Sequence, residues 1–353
     1  MSYLPGLKDL WVTSYTIAAG AMGAVAGAWL NMPVHLLTGP AILISIVALM
    51  GVRFSITPLV RDIAFLVIGI GIGSGVDAQS VEAFLRWPIA FVALAAMLIA
   101  ALLLCRELLI RGFGFEPRTA VLAATPGHLS YIIGISEDLK IDVTKVAVVQ
   151  SVRLLALTLC VPFVAVAFGV RVDTNLLPTS QFMQIEHVVV LLVLALVLGL
   201  ILKRFKVPAA LLIAAMVVSA IGHLSGTAPG LLSPSTTQVT LVIMGTLIGT
   251  RFSGISITEL RRSLTAGLSA TTLTVVLAMA AAMPAAAFLN MPVAHVLIAF
   301  APGGLETMIV MGAVLGANPG FVAASHVGRL LLLTVLVPAV LSRAQKTGSD
   351  QVG

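Results

Sequence analysis

The sequence predicts an all-α polytopic membrane protein built of two inverted repeats, each with five transmembrane helices and a re-entrant segment broken at Pro-Gly. Three observations carry this expectation. Hydrophobic residues fill 59% of 353 positions, charged residues only 10%, and mean hydropathy is +1.12. That leaves too little polar side chain to coat a soluble globule. A polar pattern is written twice within this apolar chain, and the Lys and Arg residues favour one way of threading it.

The repeated pattern is ATPGHLS at 124–130 followed by Arg153, and FAPGGLE at 300–306 followed by Arg329. Each Arg lies 27 residues beyond its Pro (Pro126, Pro302), and the copies are offset by 176. Aligned without a gap, 124–162 and 300–338 share 14 identities in 39, including Gly127/Gly303, Leu129/Leu305, Thr158/Thr334 and Pro162/Pro338.

A spanning helix needs roughly 20 mainly apolar residues. In repeat one such stretches lie near 12–30, 34–52, 60–78 and 87–110, then an interrupted segment at 118–137 and a helix at 142–168. Repeat two offers 187–203, 208–225, 236–252 and 263–285, an interrupted segment at 293–316, and 319–342. The organisation expected is therefore repeat one at 1–170, an inter-repeat loop at 171–186, repeat two at 187–343 and a short tail at 344–353. Only Lys8 precedes the first apolar stretch and no cleavage site follows it, so this stretch reads as a retained helix rather than a signal peptide.

Charge decides whether the interrupted segments cross the bilayer, because cytoplasmic loops hold most Lys and Arg. If both enter and leave on one side, 16 of the 20 Lys and Arg share a side, Arg86 and Arg171 take the other, and Arg153 and Arg329 stay within the membrane. If both cross, the loops divide 9 against 9. The re-entrant reading gives ten full spans with both termini cytoplasmic, in a bacterial inner membrane. Five spans per repeat is odd, so the second repeat is expected upside down, with the two breaks approaching from opposite faces. Irregular backbone at that depth is tolerated only when buried in protein or lining a watery cavity.

Arg153 and Arg329 fall near the bilayer centre, where an Arg costs about 2.5–3.5 kcal/mol on insertion scales. Two readings offset that cost: the planar donor fork binds an anionic substrate, or it forms a structural ion pair or a carbonyl cap that holds the broken segment. Of 14 acidic residues only Glu306 lies at membrane depth, where repeat one has Ser130. Two arginines against one carboxylate leave a charge deficit that a bound anion fills. Glu306 also fits a proton or cation coupling site, or a partner for Arg329.

Gln150 and His326 precede the two arginines by three residues and so share their helix faces. His128 stands where repeat two has Gly304; it suits a proton carrier or a neutral ring bonded to a carbonyl. Thr125, Ser130, Tyr131 and Thr307 supply hydroxyls at the breaks, whose helix-breaking residues are Pro126, Gly127, Pro302, Gly303 and Gly304. Free amides at exposed helix N-termini would favour an anion too.

Other patterns carry no chemistry. GIGIGSG at 69–75 lacks the third Gly of a nucleotide loop and reads as close helix packing, as do Gly20, Gly23 and Gly27. Apart from Glu186 beside His187, no His, Cys or carboxylate stands at ligand spacing from His35, His187, His223 or His295 in the sequence, so no metal site is expected, and no other cofactor is implied. Cys105 and Cys160 are too few for a disulfide framework and read as core or lipid-facing residues. The basic ELRRS loop at 259–263 is a cytoplasmic anchor rather than a nucleic-acid patch.

The doubled A-P-G-x-L element, the RLLALTLCVP and RLLLLTVLVP runs at 153–162 and 329–338, and the NMP and KVP turns at 31–33 and 206–208 resemble one family. The chain is similar, over nearly its whole length, to the bacterial AbrB membrane-protein duplication family, whose members are often labelled transcriptional regulators or ammonia monooxygenases. The labels are not mechanisms. An oxygenase needs redox-metal ligands, and a regulator of transcription needs a DNA-reading domain; neither is arranged here, so no enzyme and no direct nucleic-acid partner is expected.

The function expected is a secondary transporter of a small anionic or zwitterionic metabolite, moved by alternating access around opposed broken helices. The alternative is a membrane regulatory or sensory protein that affects gene expression indirectly. The expected partners are the lipid bilayer and a small-molecule substrate with a coupling proton or cation, and the pattern is compatible with a homo-oligomer.

Overall fold

The computed structural model describes residues 6–76, 87–126, 132, 135–137, 139–170, 182–255 and 257–349, with 259, 262 and 343–349 described by backbone alone. All regular structure among them is helical apart from one isolated Phe182–Leu231 bridge. The first half holds α1 (Leu7–Trp29), α2 (His35–Leu49), α3 (Pro58–Gly73), α4 (Trp87–Phe113), α5 (Pro117–Ala124) and α6 (Val143–Ala167). The second holds α7 (Ile185–Arg204), α8 (Ala210–Leu224), α9 (Pro234–Gly249), α10 (Ile257–Leu289), α11 (Val293–Phe300), α12 (Leu305–Val314) and α13 (Pro319–Ser349).

The duplication is legible in these bounds. α2 and α8 each have 15 residues, α3 and α9 each have 16, and α5 and α11 each have 8. Left-handed backbone recurs at matched turns: Asn31 with Lys206, Val34 with Ala209, Gly51 with Gly226, Gly114 with Asn290, and Lys140 with Gly316. A non-glycine residue in that region costs about 1–2 kcal/mol. The chain accepts it twice before α2 and twice before α8, where Pro33 and Pro208 fix the reversal.

Among the described residues six helical stretches are long and apolar enough to cross a membrane: α1, α4, α6, α7, residues 263–289 of α10 and 319–342 of α13. This is a polytopic membrane protein. α2, α3, α8 and α9 are shorter, with 15 or 16 residues each. At 1.5 Å per residue they reach about 23 Å, against a hydrocarbon core of about 30 Å. The shortfall at α2 and α8 arises at the left-handed turns, which take residues that hydropathy alone assigns to the helices.

The chain forms two compact units, one of Met1–Phe84, Pro162–Gly254 and Ile309–Gly320, the other of Leu85–Val161, Ile255–Met308 and Phe321–Gly353. Each combines matched elements of both repeats, so repeats and compact units are different divisions of the chain. In the first unit α1 crosses α2 backbone to backbone: a Cβ on Gly39 would lie 2.2 Å from the Gly23 carbonyl oxygen. Gly69 and Gly73 likewise seat α3 on α8, with added Cβ atoms 2.6 Å from Leu212 O and 2.4 Å from Met216 O. The glycines of GIGIGSG and of α1 are packing surfaces, as expected. Gly39→Ala is expected to cost about 1–3 kcal/mol by forcing these backbones apart, read as a lower Tm of the detergent-solubilised protein.

In the second unit the core joins Leu102, Cys105 and Leu109 of α4 to the whole of Ala120–Ala124 in α5, Val146 and Val149 of α6, Ala266 and Ala270 of α10, and Leu333 and Val337 of α13. Trp87 and Phe91 of α4 pack on Phe321 of α13, with ring centroids 5.4 and 6.5 Å apart. The short helices α5 and α11, which end at the two Pro-Gly pairs, both belong to this unit.

Candidate functional site

α5 begins with Pro117 at its first helical position, and α11 begins at Val293 after Pro292. Both end where a proline approaches. Thr125 and Ala301 precede Pro126 and Pro302, and a residue before proline is pushed out of the helical region. Accordingly Thr125 has ψ 117 and Ala301 has ψ 129. Each helix therefore ends inside protein with carbonyls that have no helical partner. Thr125, Pro126, Ala301, Pro302 and Gly303 are all buried. Such oxygens need donors, because a buried unpaired carbonyl costs about 1–3 kcal/mol.

The donors come from α6 and α13. Gln150 Nε2 donates to Leu122 O at 2.9 Å and Thr125 O at 2.8 Å. Arg153 Nη2 donates to Thr125 O at 3.1 Å and to Gln150 Oε1. In the second copy Arg329 Nη1 donates to Ala301 O at 3.0 Å, and Nη2 donates to Gly303 O at 3.0 Å and His326 Nδ1 at 2.7 Å. His326 Nε2 lies 3.4 Å from Ile298 O. Leu122 matches Ile298 and Thr125 matches Ala301 at the repeat offset, so this is one hydrogen-bond network built twice. We call each network a latch.

The latches account for the carbonyl-cap reading of the arginines. A cation at a helix C-terminus also meets the negative end of the helix dipole. The arginines are nevertheless not fully matched. Both are 3% exposed, and the Nε of each is buried without a hydrogen-bond partner among the described residues. Among the described residues neither forms an ion pair with a carboxylate. Of the roles open to Glu306, the pair with Arg329 is not formed, and the Arg329 Nη atoms are held by Ala301, Gly303 and His326. Both guanidinium groups belong to one compact unit.

The second break lies beside the first latch. A Cβ on Gly304 would sit 3.8 Å from Leu154 Cδ2, on the residue after Arg153. α12 starts there, with Glu306 half-buried and Thr307 buried in its first turn. Thr125 donates its hydroxyl to Val121 O at 2.7 Å, back along α5. Gly127, His128, Ser130 and Tyr131 lie outside the described residues, so the structure places Arg153, Gln150, Thr125 and Pro126 of the first break and every named residue of the second.

Two contributions were missed from sequence. The accepting carbonyls of Leu122 and Ile298 leave no trace in residue identity. Ser325, whose buried hydroxyl has no partner among the described residues, could have been found from its place beside His326, where repeat one has Val149. Of the cysteines, Cys160 is exposed and Cys105 is buried, its Sγ 3.3 Å from Thr274 Oγ1 and 3.5 Å from Ala270 O. Among the described residues no group of His, Cys, Asp and Glu could hold a metal ion.

A family model described as the transition state regulatory protein AbrB matches residues 36–345, a range that contains both latches. The chain belongs to the AbrB family. An uncharacterized protein of Bacillus subtilis (strain 168), YhjN, is 23% identical over 236 residues. That similarity spans 62% of this chain and 62% of the relative, so less than two thirds of the relative's length is matched. In this AbrB-family chain the repeat that sequence shows is also a repeat of side-chain chemistry: an amide or imidazole, then a guanidinium, closing the end of an eight-residue helix.

Proposed function

We propose that this AbrB-family chain is a secondary transporter of small anionic or zwitterionic metabolites, working by alternating access around its two broken helices. The observation that carries the reading is the pair of buried guanidinium groups with unpartnered Nε atoms and no paired carboxylate among the described residues. Burying an uncompensated charge is expensive, and an anion brought to the breaks offsets it. Arg153 and Arg329 are its ligands in this proposal, with Thr307 and Ser130 as hydroxyl donors. Glu306 is the asymmetric element, excluding dianions or meeting the ammonium of a zwitterion.

The proposed topology is a pair of inverted repeats with re-entrant breaks in a bacterial inner membrane and both termini in the cytoplasm. The 16 to 2 division of Lys and Arg supports it. No chemical step is assigned to the site, because no nucleophile–base pair is formed at either latch.

One observation favours a second reading. The Nη donors of both arginines already cap carbonyls, which suits a rigid structural latch in a protein that senses a ligand without moving it. The regulatory description of the family model points the same way. Flux separates the two: purified protein in liposomes is expected to show saturable uptake of a small anion, whereas binding without flux favours the sensor.

A further inference from the structure

The two latches differ at one position, and that difference is chemical. In the first, Gln150 has an oxygen that accepts and an amide that donates, and neither changes with pH. In the second, His326 does the same job with two ring nitrogens. Arg329 Nη2, always a donor, lies 2.7 Å from Nδ1, so Nδ1 must accept. Nε2 therefore carries the ring proton and points it at the Ile298 carbonyl. The closed second latch holds a neutral imidazole in one tautomer.

We propose that His326 is the proton-binding site that couples transport, and that a proton on it opens the second latch while the first stays closed. This inference rests on the transport reading for its role. A proton taken from water onto Nδ1 uses the lone pair that Arg329 occupies. The Arg329 Nη2–H···Nδ1 hydrogen bond breaks, and two cations then face each other within one hydrogen-bond length in a buried site. The Arg329 side chain is driven away, and the carbonyls of Ala301 and Gly303 lose its donors together. The break at Pro302–Gly304 is freed in the same event.

Among the described residues no neighbouring group removes this conflict. Arg329 is on the same helix, α6 carries Arg153 and α12 carries Glu306, which forms no ion pair among the described residues. α11 carries His295, three residues before Ile298. α4 brings Cys105 at depth, and its Arg106, Glu107 and Arg111 pair with one another near its end. α5 and α10 bear Arg118 and Arg261 in their opening turns. The nearest charge is thus a cation, which excludes the protonated ring from the closed latch.

Proton binding and latch closure are mutually exclusive, so the sign follows from linkage. Above the ordinary imidazole range, near about 6.5, the ring is neutral in both states and the closed latch keeps its full advantage. Below it the open state takes up a proton, and closure weakens about tenfold per pH unit.

The test is hydrogen exchange of peptides covering 297–308 in the purified full chain, without substrate, corrected for intrinsic exchange. Between pH 7.5 and 5.5 the wild type should open about tenfold more. His326→Gln, which copies the first latch, should abolish that dependence. Gln150→His should confer it on peptides covering 121–126 and provides a second readout should His326→Gln fold poorly. Equal pH dependence in His326→Gln and wild type, a flat wild type, or a flat Gln150→His overturns the proposal. The measurement needs no flux, so it can fail while uptake succeeds, or succeed while uptake fails.

Discussion

Arg329→Ala should lower stability by about 3–4 kcal/mol, and Arg153→Ala by about 1–2 kcal/mol, in thermal unfolding of the solubilised protein. The inequality follows from the partners each leaves behind. Without Arg329 the Gly303 carbonyl and His326 Nδ1 lose the donors that hold them, and the Ala301 carbonyl keeps only the Gly303 N–H at 2.9 Å. Each buried unpaired group costs about 1–3 kcal/mol, partly offset because a desolvated cation is removed. Without Arg153 the Thr125 carbonyl still receives Gln150 Nε2, and only Gln150 Oε1 is stranded. Arg329→Lys should recover little, since one ammonium on a flexible stem does not reproduce a planar fork that spans Ala301, Gly303 and His326. Equal losses for the two alanine variants would contradict the latch geometry.

The second large effect concerns charge rather than capping. A small carboxylate or phosphate that binds at the breaks should raise stability by mass action, about 2.7 kcal/mol at one hundred times its Kd. Arg153→Gln keeps a side chain able to donate to Thr125 O while deleting the positive charge. It should remain folded and lose the anion-dependent stabilisation, because charge-assisted bonds contribute about 1.5–3 kcal/mol and affinity falls roughly ten- to a hundredfold. Undiminished stabilisation in Arg153→Gln would move the anion site away from this latch.

Much of this architecture was legible in the sequence because its causes are local. Pro126 and Pro302 stop α5 and α11 through clashes with the residues before them, and their spacing to Arg153 and Arg329 places a donor near each interrupted end. The i and i+3 relation of Gln150 to Arg153, and of His326 to Arg329, became a hydrogen bond in both copies. What depends on backbone geometry was not legible. Hydropathy began α2 and α8 at or before Val34 and Ala209, whose left-handed conformation sets the helix start one residue beyond each. The accepting carbonyls belong to Leu122 and Ile298, residues whose side chains announce nothing. A Glu306–Arg329 pair was one of the roles the charge count left open for Glu306, but the Arg329 Nη atoms donate to Ala301, Gly303 and His326.

Transport by the paired arginines is the central claim, and the direct measurement is uptake of labelled small anions by proteoliposomes holding the full chain. At substrate below its Kd, wild type should show saturable flux about ten- to a hundredfold above Arg153→Gln, with both proteins folded by the same thermal criterion. Saturable binding with no flux in wild type, or equal flux in wild type and Arg153→Gln, would contradict it.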